Sequence, residues 1–225
     1  MLRLVAFDLD GTIGDTVAMS MLALRETAAA YLGREAAETE TAATLGLDER
    51  GALARLLGRD CPRAVADFLA AYSRLHDICP HPFDGIPQLI GALRQHGIIT
   101  ALVTGKGAES CGITLRRFGL RNAFDRILTG SPVRNIKAGN LRALLGEYGL
   151  QPDEAIYIGD TLSDVWECRK AGICCLTAAW ASSYAERRQC MRINGGRVFI
   201  SVKALASHVL AIAQRNAMRY VSSQK

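Results

Sequence analysis

The chain stops and restarts its hydrophobic runs in a pattern that few folds can accommodate. Six short apolar stretches recur, four of them ending abruptly on a polar cluster. Leu2 to Phe7 runs into Asp8-Leu9-Asp10-Gly11-Thr12, and Ile98 to Val103 into Thr104-Gly105. Arg126 to Leu128 runs into Thr129-Gly130-Ser131-Pro132, and Ala155 to Ile158 into Gly159-Asp160. Ile173 to Thr177 follows Ala171-Gly172, and Val198 to Ile200 is a candidate edge strand. These runs do not alternate apolar with polar, so they suit parallel strands covered on both faces. Between them, Ile86, Leu89, Ile90 and Leu93 make a helical stripe that Gly97 stops, and Leu141, Leu144, Leu145 and Tyr148 another that Gly149 stops. Strand–helix–strand alternation predicts an α/β fold with a doubly wound, Rossmann-like parallel sheet, whose ligands sit beyond the carboxyl ends of the strands.

One stretch breaks the alternation. From about Thr16 onward the chain is rich in Ala, Leu and Glu and shows no strand. Val17 to Leu32, Asp48 to Leu57 and Pro62 to Ile78 read as helices, and Cys79 to Gly85 as a stiff connector. The expected organisation is a helical cap over residues 16–81, inserted into an α/β core of residues 1–15 and 82–225. Asp15-Thr16 and Pro80 to Asp84 are the expected hinges.

Charge and cysteine usage narrow the function classes. The 225 residues carry a formal net charge of +5, and no acidic residue follows Glu186. The surplus lies in Arg187, Arg188, Arg192, Arg197, Lys203, Arg215, Arg219 and Lys225, which suits a solvated or contact surface better than a nucleic-acid footprint. The seven cysteines form no C-x-x-C pair, which argues against a zinc site. They read as reduced core thiols, with the neighbours Cys174 and Cys175 on opposite sheet faces. The apolar start is too short for a signal peptide, and no run approaches the roughly 18 residues of a membrane span. A cytoplasmic protein, monomeric or homodimeric and with no membrane partner, is expected. Thr104-Gly105-Lys106-Gly107 fails the P-loop spacing, which leaves Lys106 two readings, exposure, the expected one, or reach toward the substrate. His76 and His81 lack metal-ligand spacing and are expected at a hinge or the surface.

The chemistry lies at the strand ends. Asp8 and Asp10, two apart in an extended segment, present both carboxylates to one spot. Two carboxylates that close repel unless a cation or shared proton intervenes, and a hard cation such as Mg²⁺ suits oxygen ligands and phosphate. Gly159-Asp160-Thr161-Leu162-Ser163-Asp164 adds two more acids, which also fit plain helix capping by Asp160 or Ser163. Thr104 and the Gly105 N–H suit a phosphate oxygen near a helix N-terminus. Lys137 is the only lysine between Lys106 and Lys170.

In this order and these strand contexts, Asp8-Leu9-Asp10-Gly11-Thr12, Thr104-Gly105, Lys137 and Gly159-Asp160-x-x-x-Asp164 resemble the haloacid dehalogenase-like hydrolases, most of all their phosphoglycolate phosphatase-like branch. The resemblance covers nearly the whole chain, the inserted cap included. Because cap loops face the site in resembling enzymes, it implies that place, and a part in substrate choice, for the turn Leu45-Gly46-Leu47 and for Arg50, an orientation that nothing in the sequence fixes. In one place it departs: the family's Lys is commonly followed by Pro, whereas Ala138 follows Lys137 here. The resemblance implies Asp8 as the nucleophile that forms an aspartyl-phosphate and Asp10 as general acid and then base. It implies Mg²⁺ held by Asp8, the Asp10 backbone carbonyl and Asp160, with Asp164 beside them. Thr104 and Gly105 would bind phosphoryl oxygens, and Lys137 would offset the charge on Asp8 and the transferring group. The dehalogenating members lack an acid at the place of Asp10, which favours hydrolysis of a small-molecule phosphate monoester. Alternatives are a sugar phosphomutase of the same superfamily, a non-catalytic protein binding a phosphate ligand or partner, and a nucleic-acid-end phosphatase using the basic tail.

Overall fold

In the computed structural model, which describes residues 1–222, the elements follow one another as β1 (Leu4–Phe7), α1 (Val17–Leu32), α2 (Glu38–Ala42), α3 (Glu49–Leu57), α4 (Pro62–Leu75), α5 (Ile86–Gln95), β2 (Ile99–Val103) and α6 (Ala108–Arg117). They continue as β3 (Arg126–Leu128), α7 (Lys137–Tyr148), β4 (Ala155–Gly159), α8 (Leu162–Ala171), β5 (Cys174–Ala178), α9 (Tyr184–Asn194), β6 (Val198–Phe199) and α10 (Val202–Ser222). The side chains of Arg219 and Lys225, named above in the basic tail, lie outside those described. No helix among the described residues is long and apolar enough to cross a membrane.

The six strands form one sheet in the order β3-β2-β1-β4-β5-β6, every neighbouring pair parallel. The chain winds from β1 outward to β3, then returns to lay β4 on the other side of β1. That reversal opens a crevice at the carboxyl ends of β1 and β4. Register fixes what meets there. Phe7 lies opposite both Leu102 and Ile158, so Asp8, Thr104 and Asp160 emerge within a step of one another.

Alternation along β1 explains why its sequence is apolar throughout. Val5 and Phe7 enter a cluster with Ile90, Leu102, Ile158 and Val209, while Leu4 and Ala6 enter another with Leu141, Leu144, Tyr157 and Val165. Each fully buried Leu, Ile or Phe is worth about 1.5–3 kcal/mol, so neither face tolerates a polar residue cheaply. Cys174 and Cys175 divide between the same two clusters, as expected of strand neighbours.

The helices α1 to α4 lie between β1 and α5 in the chain, where the sequence breaks its alternation. Their inward residues Met19, Leu24, Leu53, Phe68 and Tyr72 share one continuous apolar cluster with Phe7, Ile13 and Phe118. Asp48 caps α3 rather than opening it, accepting the Gly51 N–H at 2.9 Å. The helix expected to reach Ile78 stops at Leu75 because His76 turns inward. Its Nδ1 lies 2.9 Å from the Cys79 carbonyl and its Nε2 3.0 Å from Thr114 Oγ1, with the ring edge-on to Tyr72 and Phe118. Of the two expectations for His76, hinge or surface, the surface one is overturned: it is 1% exposed, because the connector supplies a carbonyl and α6 a hydroxyl for its two nitrogens. His81 is exposed. The short α2 has no apolar stripe to betray it; Glu40 closes it by accepting the Ala37 N–H at 2.7 Å.

Candidate active site

Asp8 follows the last residue of β1, and its backbone N–H donates to Ile158 O at 2.8 Å, continuing the ladder one step past the strand. Its side chain is thereby fixed at the crevice. Leu9 N–H donates to Asp8 Oδ1 at 2.8 Å, and Lys137 Nζ to Asp8 Oδ2 at 2.5 Å. The same ammonium donates to Asp164 Oδ1 at 2.5 Å, so one lysine bridges two buried carboxylates. Lys137 reaches them as the first residue of α7, without the following Pro. Asn135 Oδ1 accepts its N–H at 3.0 Å, and Glu167 accepts that of Ala138 at 3.1 Å. These side chains satisfy amide groups at the helix start, and the helix begins normally with Ala138.

The β4 end is built around Thr161, not Asp160 or Ser163, as the N-cap of α8. Thr161 Oγ1 accepts the Asp164 N–H at 3.2 Å, and Asp164 Oδ2 accepts from Thr161 N and Oγ1 at 3.0 and 2.7 Å. Tyr157 Oη sits 3.2 Å from Asp164 Oδ1 and 3.0 Å from the Val103 carbonyl. Asp164 is thus saturated by protein donors. Asp160 is the opposite case: its Oδ1 is buried and has no hydrogen-bond partner. A Cβ on Gly11, whose φ is +73°, would lie 2.2 Å from Asp160 Oδ2, so only glycine lets the first loop pass this carboxylate.

Asp10 turns elsewhere. Its carboxylate accepts from the Thr16 hydroxyl and from Lys106 Nζ, the latter at 3.3 Å. Lys106 also donates to Ser20 Oγ at 2.9 Å and lies 4.3 Å from the centroid of the Tyr72 ring. The expectation of an exposed Lys106 is overturned: it is 7% exposed, and Asp10, Ser20 and an aromatic face together replace its water. Thr104 is buried at the end of β2, with its Oγ1 accepting the Lys106 N–H at 3.2 Å.

Electrostatics divide the acids. Burial pushes Asp8 up to about 6 against the pull of Lys137, with Asp164 and Asp10 adding to the rise. Burial, then the charges of Asp8 and Asp164, push Asp160 up to about 8. Burial would raise Asp164 too, but Lys137 outweighs it and holds that carboxyl below the usual range. Burial likewise opposes the charge on Lys137, which Asp164 and Asp8 more than restore. Three carboxylates therefore share one ammonium, and Asp8, Asp160 and Asp164 each bring an oxygen within 4.8 Å of the others. An all-oxygen set with excess negative charge and one unpartnered buried carboxylate oxygen fits a hard divalent cation.

Asp8, Asp10, Asp160 and Lys137 line a cavity of about 610 Å³, roofed by the loop from Thr44 to Glu49 and by α1 and α4, with Asp164 buried behind them. Leu45, Gly46 and Leu47 face it as expected. Arg50 does not: its guanidinium pairs with Asp60 at 2.6 Å on the exposed side of α3. Besides the Lys106 contacts to Ser20 and Tyr72, three contacts seat the loop and the start of α3 on the core. Glu49 Oε2 accepts the Gly107 N–H at 2.8 Å, Asp48 N–H donates to Ser131 O at 3.0 Å, and Gly51 approaches Pro132 so closely that a Cβ would lie 2.2 Å from its carbonyl oxygen.

Lys106, Thr16, Ser20 and Tyr157 join this site beyond the residues assigned to it from the sequence. Lys106 had one signal, its place two residues after Thr104 at a strand end. Tyr157 sits inside an apolar run and gives none.

The family model of haloacid dehalogenase-like hydrolases matches residues 5–178. A phosphoglycolate phosphatase from Xylella fastidiosa is 29% identical over 185 residues, which cover 79% of this chain and 80% of that protein. The pyrophosphatase PpaX from Halalkalibacterium halodurans is 27% identical over 75% of this chain and 80% of its own length. Among solved structures, a haloacid dehalogenase-like hydrolase from Streptococcus pneumoniae superposes with a TM-score of 0.71 at 22% identity, covering 92% of this chain and 98% of that one. With the match spanning most of the chain and the same sheet beneath it, the protein belongs to the haloacid dehalogenase-like hydrolases.

Proposed function

We propose that the protein hydrolyses a small-molecule phosphate monoester in two steps through an aspartyl-phosphate on Asp8, with Mg²⁺ bound at the strand ends. Its relatives include a phosphoglycolate phosphatase and a pyrophosphatase, and as a member of their family the protein is a phosphatase. One observation carries the finer reading. Asp8, fixed by Lys137 and Leu9 N–H, lies beside an unpartnered Asp160 oxygen in a cavity that Asp10 also lines.

In the first step an Asp8 oxygen attacks phosphorus while the bond to the ester oxygen breaks. The leaving oxygen takes a proton from the Asp10 carboxyl, which Thr16 and Lys106 hold in place. In the second step Asp10 takes a proton from water, the water oxygen attacks phosphorus, and Asp8 leaves as carboxylate with inorganic phosphate as product. Thr104 Oγ1 and the Gly105 N–H orient phosphoryl oxygens, and Lys137 balances charge on Asp8. Mg²⁺ would be held by Asp8, Asp160 and the Asp10 carbonyl, and would neutralise charge on the transferring group. Asp164, already saturated, acts by holding Lys137. In this reading residues 16–81 form a cap over a core of residues 1–15 and 82–225, and the Glu49, Asp48 and Gly51 contacts are its closed seam.

A panel of small phosphate esters, assayed with Mg²⁺ and with EDTA, tests the proposal. Phosphate release that EDTA abolishes is the expected result. Isomerisation of a sugar phosphate with little release would point to a mutase, and binding without turnover to a non-catalytic protein.

A further inference from the structure

The cap-facing half of the cavity lacks the charge that an anionic substrate tail would need. Its walls are apolar: Met21 and Leu24 from α1, Leu47 and Ala52 from the loop before α3 and from α3 itself, and Phe68 from α4. Lys106 and Lys137 are the only cations among the described lining residues: Lys137 is held between Asp8 and Asp164, and Lys106 is buried with its ammonium turned to Asp10, Ser20 and the Tyr72 ring. No arginine lines it, Arg50 being turned away to Asp60. The charged side chains that the cap does contribute are acids. Asp48 caps α3, and Glu49 holds Gly107.

Resting on the phosphatase reading above, we propose that this site selects phosphate monoesters of uncharged alcohols with an apolar body, and discriminates against esters that carry a second anionic group. A carboxylate or second phosphate on the leaving group would shed its water among Leu24, Leu47 and Phe68 without gaining a free cation. It would also approach Asp48 and Glu49, whose charges repel it. An apolar body meets surfaces that favour it. The phosphoryl end is unaffected by this choice, because Thr104, Gly105 and Lys137 lie at the opposite, core side.

The test compares kcat/KM for benzyl phosphate and butyl phosphate with that for 2-phosphoglycolate, each with Mg²⁺, by phosphate release. Benzyl phosphate is expected to exceed 2-phosphoglycolate by at least about tenfold, the scale on which a site rejects a group it cannot pair. Leu47→Arg, which puts a guanidinium on the apolar wall from a half-buried loop position, should move the ratio toward 2-phosphoglycolate. Equal or faster turnover of 2-phosphoglycolate by the unmodified protein would overturn the selectivity while leaving the phosphatase reading intact. A ratio unmoved by Leu47→Arg would overturn its assignment to this wall. No phosphate from any ester would overturn the phosphatase reading itself.

Discussion

The strand ends and the helical insertion bound the same cavity but hold their residues by different means. At the strand ends two lysines tie the acids to partners distant in sequence. Lys137 reaches back to Asp8 and forward to Asp164, and Lys106 reaches back to Asp10. These bonds are buried and ionic, so removing one member leaves another charge stranded. The insertion is held to the core by its share of the apolar cluster and, at the cavity rim, by a few contacts at Asp48, Glu49 and Gly51. A site whose ions are tied to one another, and whose roof meets the cavity rim through a few separate contacts, can change its substrate without changing its reaction.

The contrast predicts a descending series of effects. Lys137→Met keeps the length of the side chain and removes the charge shared by Asp8 and Asp164. Turnover should fall about 10²–10³-fold. The buried carboxylates left without a counter-charge should also cost about 3–5 kcal/mol of stability, read by thermal unfolding. Near-native turnover in this variant would mean that the strand-end ions do not depend on one another.

Gly11→Ala should come next. The left-handed backbone costs a non-glycine residue about 1–2 kcal/mol. The added Cβ must also displace Asp160, which it would meet at 2.2 Å. More Mg²⁺ should then be needed for half-maximal activity, and an unchanged Mg²⁺ titration would separate Asp160 from the cation.

His76 tests the junction between the two regions. Burial lowers its pKa below the ordinary 6.5. Below about pH 6.5 the unfolded chain therefore binds more protons than the folded one, so stability is retained above that pH and lost as pH falls beneath it. The loss is at most about 1.4 kcal/mol per pH unit for one group. His76→Gln should flatten that part of the profile in chemical denaturation, and a parallel profile would assign the acid sensitivity elsewhere.

Glu49→Ala should have the smallest effect. It removes one bond across the rim, worth about 0.5–1.5 kcal/mol, and should raise KM a few-fold with kcat nearly unchanged. A large fall in kcat would show that the roof takes part in the chemistry.

What could be read in the sequence follows the same division. The strand ends were legible because an apolar run that stops on Asp-x-Asp or Gly-Asp marks both the strand and the functional edge of the sheet. Asp8, Asp10, Thr104, Asp160, Asp164 and Lys137 all come to that edge. The burial of Lys106 and His76 is not legible, because a buried cation or imidazole is decided by its partners, here Asp10 far upstream and Thr114 on another helix. Arg50, given a place at the site by resemblance alone, turns to Asp60 instead, because nothing in the sequence fixes which face of α3 meets the core. The small α2 was missed because Glu38 to Ala42 offers capping rather than an apolar stripe.

The central claim is that Asp8 is the covalent nucleophile, and Asp8→Asn tests it most directly. The substitution keeps the shape of the side chain and removes the attacking oxygen's charge. Phosphate release from p-nitrophenyl phosphate with Mg²⁺ should fall to background while circular dichroism and cooperative unfolding persist. Retained turnover in the folded Asp8→Asn protein would contradict the claim.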